Sequence, residues 1–335
     1  LSGRTAGKVK AVCISDRKHV QKWEVPSVRL VPRLGIEGDA HAGFAHRQVS
    51  LLAEESVEKM RTRGLTDLKP GAFGENILTE GLDLSSLRVG DLLLVGKEAL
   101  LQVSQVGKEC VDRCAIYYAA GDCIMPREGI FARVLRGGEV TAGDTVRPVE
   151  REEIGLFLAG IITVSDRGSR GEREDLSGKV LEEMLEAQGF AVVERELVPD
   201  ELDEVADALV RFADQLRVDL VLTTGGTGLS PRDVTPEATL RVIEKEVPGM
   251  AEAMRAASLP KTPHAMLSRA VCGIRGGTLI VNLPGSPRGA RENLEVILPA
   301  LPHGLSKLRG DTSECANPPL EGGPADLGKG PAGSS

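Results

Sequence analysis

One stretch limits the folds open to this chain more than any other: Thr223-Thr224-Gly225-Gly226-Thr227-Gly228-Leu229-Ser230-Pro231-Arg232-Asp233. The apolar run Leu220-Val221-Leu222 precedes it, and Val234-Thr235-Pro236-Glu237-Ala238 follows. That order predicts a buried strand, a glycine loop, a charged elbow, and a helix with Thr235 as N-cap and Pro236 at its first position. Small residues let backbone N–H groups close on an anion, and a helix N-terminus adds a positive dipole. The loop therefore suits a phosphate, with Arg232 and Asp233 supplying a cation and a metal ligand beside it. It lacks both the Gly-Lys-Ser/Thr of a Walker loop and the GxGxxG of a dinucleotide fold.

A chain of 335 residues suits two domains. The net charge of -8 and the 3% aromatic content argue against a nucleic-acid partner, which would want a basic face and stacking rings. No apolar run approaches the ~20 residues of a membrane helix. The first residues, Leu1-Ser2-Gly3-Arg4, hold no apolar signal core and no Met, so a few residues are expected to have been removed or replaced. Six cysteines without a disulfide-framework spacing fit reduced thiols. The expectation is a soluble, cytoplasmic protein with no membrane partner.

The two halves read differently. Residues 1–149 hold short β-type runs between glycines, such as Val9-Lys10-Ala11-Val12-Cys13-Ile14 and Asp91-Leu92-Leu93-Leu94-Val95, with one helix near 53–62. They predict a β-rich barrel. Residues 150–157, opening Glu150-Arg151-Glu152-Glu153, read as a linker. In 158–314, strands at 160–164, 191–198, 219–223 and 278–282 alternate with helices at 176–188, 202–215, 236–246 and 288–306. Alternation of this kind predicts a three-layer α/β domain with a mostly parallel sheet. The tail 315–335 is rich in Pro, Gly, Ala and Ser and is expected to be disordered.

Open α/β sheets bind ligands beyond the carboxyl ends of their strands. Four loops map there: Ser165-Asp166-Arg167-Gly168-Ser169-Arg170-Gly171, Pro199-Asp200-Glu201, the glycine loop, and Leu283-Pro284-Gly285-Ser286-Pro287. Asp200 and Asp233 end elements on that edge, and paired carboxylates beside a phosphate loop suit Mg²⁺. No Ser-His-Asp pattern is present; His264 and His303 are the only histidines of this half. A phosphate oxygen that arrives ionised needs no general base, so positioning and charge stabilisation would suffice. Plainer readings stand beside these. Gly225 to Gly228 could be an ordinary turn, Asp200 a helix cap, and Asp233 a cap or the partner of Arg232. Ser286 could be turn chemistry, and Ser268-Arg269 and Arg275-Gly276-Gly277 solvated surface.

The segments Val164-Ser165-Asp166, Asp175-Leu176-Ser177-Gly178, Val198-Pro199-Asp200-Glu201, Thr224-Gly225-Gly226-Thr227-Gly228, Pro231-Arg232-Asp233-Val234-Thr235-Pro236, Met266-Leu267-Ser268-Arg269 and Asn282-Leu283-Pro284-Gly285-Ser286-Pro287 occur in that order. Together they resemble the MogA-type molybdopterin adenylyltransferases, including the G domains of plant Cnx and of gephyrin. The resemblance implies a three-layer, usually trimeric domain that joins molybdopterin to MgATP, releases pyrophosphate and hands its product to a molybdenum-insertion enzyme. It implies that Asp200 and Asp233 are the essential acidic pair for Mg²⁺ and pterin phosphate, and that Gly225, Gly226, Thr227 and Gly228 hold phosphate. Ser165, Asp166, Ser268, Arg269, Pro284, Gly285 and Ser286 would line the nucleotide and pterin pocket, and Arg232, the cation beside the loop, is a further candidate binding residue. Ser286 departs from the Asn or Gln of several relatives. A non-catalytic pterin carrier or scaffold stays open as the alternative.

In the first half, His41 and His46 are possible metal ligands but more often such residues are loop or surface histidines. Cys110, Cys114 and Cys123 lack a zinc spacing. Cys123 sits in Gly121-Asp122-Cys123-Ile124-Met125-Pro126-Arg127-Glu128-Gly129, where the Arg127 cation would favour a thiolate. Gly35-Ile36-Glu37-Gly38-Asp39-Ala40-His41, Pro70-Gly71-Ala72-Phe73-Gly74-Glu75-Asn76, Val89-Gly90-Asp91 and the Cys123 loop resemble a MOSC domain, the module shared with molybdenum-cofactor sulfurases. The resemblance implies a β-rich barrel with a key cysteine that carries sulfur or ligates the molybdenum cofactor. Cys123 is the candidate and Cys114 the second choice; cofactor storage or a detoxifying reduction stays open as the barrel's role.

Overall fold

The computed structural model describes residues 5–18, 20–43, 47–107, 117–118 and 122–312. His46, Cys110, Cys114 and the tail 315–335 lie outside them.

The first half is a closed barrel. Its strands are β1 (Gly7–Ile14), β2 (Trp23–Val25), β3 (Ser27–Val31), β4 (Gly35–Ile36), β5 (Val49–Ala53), β6 (Ile77–Glu80), β7 (Leu92–Val95), β8 (Ala99–Val106), β9 (Ile130–Arg136), β10 (Gly138–Thr141) and β11 (Thr145–Val149). The main sheet runs β11-β7-β8-β9-β5-β6-β1-β2, and β11 returns to β1 to close it. A small sheet β10-β3-β4 stands beside it. Successive side chains of a strand point to opposite faces. Val12, Leu51, Leu93, Leu101 and Ala132 accordingly fill one apolar cluster. Their neighbours Ala11, Cys13, Leu52 and Phe131 form another with Val57 and Met60 of helix α1 (Glu54–Arg61). A one-turn helix α2 (Met125–Glu128) carries Met125 into the same cluster.

Residues 150–157 are pinned. A turn at Arg151–Glu153 is closed by a capping box between Glu150 and Glu153. Arg309 donates to Arg151 O at 3.0 Å and to Leu156 O at 2.6 Å, while Arg151 donates to Arg217 O at 2.7 Å.

The second half has six strands: β12 (Leu158–Val164), β13 (Ala191–Val198), β14 (Leu220–Thr224), β15 (Lys245–Glu246), β16 (Cys272–Arg275) and β17 (Thr278–Leu283). Their order is β13-β12-β14-β17-β16-β15, parallel except where β16 and β15 join. The helices are α3 (Asp166–Ser169), α4 (Leu176–Ala187), α5 (Leu202–Val210), α6 (Thr235–Val242), α7 (Pro248–Ser258), α8 (Pro287–Ile297) and α9 (Leu301–Leu308). Leu209 of α5 and Ala238 of α6 pack on one face of the sheet; Leu181, Met254, Leu294 and Leu305 pack on the other. The expected three layers are present.

Several boundaries differ from expectation. The helix expected over 236–246 stops at Val242, because Ile243 turns extended and Glu244 N–H bonds Ile274 O as the chain joins the sheet edge. The helix expected over 288–306 is broken after Ile297, where Pro299 and Pro302 remove amide donors. The helix over 202–215 widens into a π turn at Arg211–Gln215. Thr235 opens α6 rather than capping it; its hydroxyl donates to Gly225 O at 2.9 Å. Among the described residues no helix is long and apolar enough to cross a membrane.

Candidate functional site

The four loops converge at the carboxyl edge of the second sheet. They open a cavity of about 290 Å³ lined by Ser165, Asp200, Gly225, Gly226, Gly285 and Ser286 among others. A larger hollow of about 570 Å³ lies on the barrel beside Arg29, Glu98 and Glu139. Convergence of polar groups from four strand ends, not size, marks the first as the candidate site.

Gly225 and Gly226 have no room for side chains. Gly225 has φ +106°, and a Cβ there would lie 2.2 Å from Val164 O. Gly226 has φ +61°, and its Cβ would meet the Thr235 hydroxyl at 2.4 Å. Gly285 closes the far side, where a Cβ would come within 3.0 Å of Gly225 Cα. Thr224 Oγ1 donates to Pro284 O at 2.8 Å, so the two loops are tied together.

Asp200 and Asp166 hold each other. Asp166 N donates to Asp200 Oδ2 at 2.7 Å, and Asp200 N donates to Asp166 Oδ1 at 3.1 Å. Asp200 therefore does not cap α5. Burial, together with the charges of Asp166 and Asp233, raises its carboxyl above the ordinary range. Arg232 forks onto Asp166 at 2.8 and 3.1 Å and pairs with Glu201 at 2.8 Å. Those bonds hold the Asp166 carboxyl below its ordinary range. Arg232 thus pairs with these two acids and not with Asp233. Asp233 Oδ2 accepts from Ser230 N at 2.8 Å, which folds the elbow.

Arg269 belongs to the loop rather than to solvated surface. Its side chain donates to Gly228 O at 2.7 Å and to Asp233 O at 2.6 Å, its N–H donates to Thr227 O at 3.0 Å, and it pairs with Glu237. Ser268 Oγ accepts from Ala270 N at 3.4 Å and bends the chain into place. Ser165 caps α3 through Gly168 N, and Ser286 caps α8 through Gly289 N. Arg275 is engaged as well, with Asp214 and with Val242 O at the end of α6.

Sequence reasoning missed Asn282 as a hub. Its amide donates to Thr223 Oγ1 at 2.9 Å and Thr239 Oγ1 at 2.8 Å, and its oxygen accepts from Val271 N at 3.1 Å.

The barrel carries a second polar cluster that composition gives no hint of. Lys22 and Asp39 form a buried ion pair. Ser15 N, His41 N and Asn76 Nδ2 donate to the same carboxylate at 3.0, 2.9 and 3.2 Å. Burial alone would raise Asp39; donation from His41 and Lys22 outweighs it and holds the carboxyl well below the usual range. Glu75 is buried, accepts from Gly71 N at 2.6 Å and Phe73 N at 3.0 Å, and is pushed up to about 7 by desolvation. Cys123 is buried in the apolar cluster beside α1, and its N–H donates to Asp122 Oδ1 at 2.8 Å. Arg127 pairs with Asp122, which also takes Arg63.

Residues 160–303 match a family model described as "Probable molybdopterin binding domain", and residues 38–147 match the MOSC domain. A molybdopterin adenylyltransferase of Helicobacter pylori is 46% identical over 154 residues, which cover 45% of this chain and 88% of that protein. The chain belongs to the molybdopterin-binding family. The molybdenum cofactor synthesis protein cinnamon of Drosophila melanogaster is 40% identical over 155 residues, 46% of this chain and 26% of that protein. A crystal structure of the molybdopterin biosynthesis enzyme MoaB from Thermus thermophilus is 55% identical, covers 46% of this chain and 98% of that one, and superposes with a TM-score of 0.45.

Within this family member, the chemistry of the donor set decides whether a metal fits. Among the described residues no group of three His, Cys, Asp or Glu is poised around a metal. Asp200 and Asp233 each use only Oδ2 in hydrogen bonds, which leaves Oδ1 of each open among the described residues. Two hard carboxylate oxygens beside the glycine loop fit Mg²⁺, a cation that takes oxygen ligands and completes its shell with water.

Proposed function

We propose that the second domain adenylylates molybdopterin with MgATP and releases pyrophosphate, and that the barrel binds or sulfurates a later form of the cofactor. The observation that carries the first part is the convergence of a tightly packed glycine loop with two part-open carboxylates at one sheet edge. The adenylyltransferase relative at 46% identity supports it.

In this reading a terminal phosphate oxygen of the pterin attacks the α-phosphorus of ATP. A P–O bond forms, the α–β bridge breaks, and the electron pair leaves on pyrophosphate. The nucleophile is already ionised, so no side chain need take a proton. Gly225, Gly226, Thr227 and Gly228 present their backbone to phosphate, and Arg269 holds that loop in shape from behind. Asp200 and Asp233 would hold Mg²⁺, which when bound neutralises charge on the phosphates. Arg232 and Asp166 set the charge at the rim, while Ser165, Ser268, Pro284, Gly285 and Ser286 shape the walls.

Cys123 is the proposed barrel thiol for sulfur or molybdenum, with Asp122, Arg63 and Arg127 around its loop. Leu229 and Met266, each 64% exposed, and Leu267 support contact between copies of the chain, and a homotrimer is proposed. The unpaired thiols Cys13 and Cys272 support a reducing, cytoplasmic setting. A molybdenum-insertion enzyme is the proposed recipient of the product.

The test is to mix the full chain with MgATP and molybdopterin and follow pyrophosphate. Release that requires the pterin is the expected result; tight pterin binding without release would make the chain a carrier.

A further inference from the structure

The two domains meet along a face that uses neither the glycine loop nor the barrel thiol. Arg133 of β9 pairs with Glu194 of β13, and the two side chains are 6% and 11% exposed. Arg211 holds Glu194 at 2.8 Å and Glu196 at 2.6 Å from the π turn. Gln102 Nε2 donates to Leu216 O at 2.9 Å, and Arg217 Nη1 donates to Asp91 Oδ1 at 3.1 Å. Gly90 fits against the second domain so closely that a Cβ would lie 2.2 Å from Gln215 O. Leu92, Leu100 and Val149 of the barrel share one apolar cluster with Val193, Phe212 and Leu216. A hinge would show a thin polar contact; this junction is packed as a core.

The strands that meet there have particular neighbours. β13 is the outer strand of the second sheet, so one of its edges has no strand partner among the described residues. It leads directly through Pro199 into Asp200. β9 packs against β13 and follows the α2 segment that begins after Cys123. The ion pair therefore joins the strand after one candidate residue to the strand before the other.

We propose that the barrel is a fixed wall of the second domain, and that the Arg133–Glu194 pair positions β13 and, through it, Asp200. Arg133 and Glu194 are positioning residues and touch no substrate. The two sites then keep one separation, and an intermediate passes between them by diffusion rather than by a domain swing. The part concerning Asp200 rests on the adenylylation reading; the fixed wall does not.

Hydrogen exchange on the full chain tests this, with Arg133→Gln and the charge-keeping Arg133→Lys compared with wild type. In Arg133→Gln the part-buried Glu194 keeps only Arg211 of its two cationic partners, so exchange at the β13 amides should rise roughly tenfold relative to the β14 amides. Arg133→Lys should show a smaller rise at the same amides, because it keeps the charge without the planar fork. The kcat/KM for pterin-dependent pyrophosphate release should fall in the same order. Equal rises at β13 and β14 in both variants, or no rise at β13, would overturn the proposal. A wild-type chain that releases no pyrophosphate would end the adenylylation reading and leave the exchange result standing.

Discussion

Glu75 shows how one buried carboxyl ties stability to pH. Its two oxygens hold the Gly71 and Phe73 amides, and Gly71 O in turn accepts from Lys22 N at 2.9 Å. Burial raises its pKa from 4.5 to about 7, so between those values the folded chain holds a proton that the unfolded chain has lost. Its contribution is full below the unfolded value and is lost as pH rises through the folded one, about 3 kcal/mol in all. Urea midpoints should fall across that window in wild type, and Glu75→Gln should remove this part of the slope; an unchanged slope would contradict the assignment. Thiols give a second check. Burial pushes Cys13 and Cys272 up to about 12, so iodoacetamide at about pH 8 should leave both unmodified in the folded chain, as read by peptide mass. Asp200, Asp233 and the glycine loop were visible in the sequence because their residue types are costly unless a ligand or turn requires them. The Lys22–Asp39 pair was not, because it joins residues from separate loops that only the closed barrel brings together.

The glycine loop is the element on which the site depends. Gly225→Ala would force a Cβ against Val164 O at a backbone φ of +106°. A loss of about 2–4 kcal/mol is expected, read by denaturant unfolding, together with loss of nucleotide binding. Ser286→Ala removes the α8 cap and should cost about 1 kcal/mol. If its stability matched wild type while pterin binding collapsed, Ser286 would be a ligand contact rather than a cap. The parallel strands were legible as apolar runs, and the barrel as short runs between glycines. The split after Ile297 was written in Pro299 and Pro302, although helical spacing of Leu294, Leu301 and Leu305 masked it. β15 and β16 were not legible. They are short, and β15 is an exposed pair of charged residues whose pairing comes only from the sheet edge.

At the scale of the whole molecule, two domains that sequence reading separated by a linker share an apolar cluster and a pinned junction. Composition could not show this, because the contacts link residues such as Asp91 and Arg217 that are far apart in the chain. The junction leaves the carboxyl edge of the second sheet open, where the acidic pair and the glycine loop stand. The central claim is that this edge transfers an adenylyl group. It is tested most directly by single-turnover pyrophosphate release from MgATP and molybdopterin, comparing wild type with Asp233→Asn. Asp233 meets solvent beside the loop, so the variant should fold and bind pterin. Its release rate should fall roughly 10²–10³-fold, the usual loss when one charge-stabilising group is removed. Equal release by both proteins would contradict the claim.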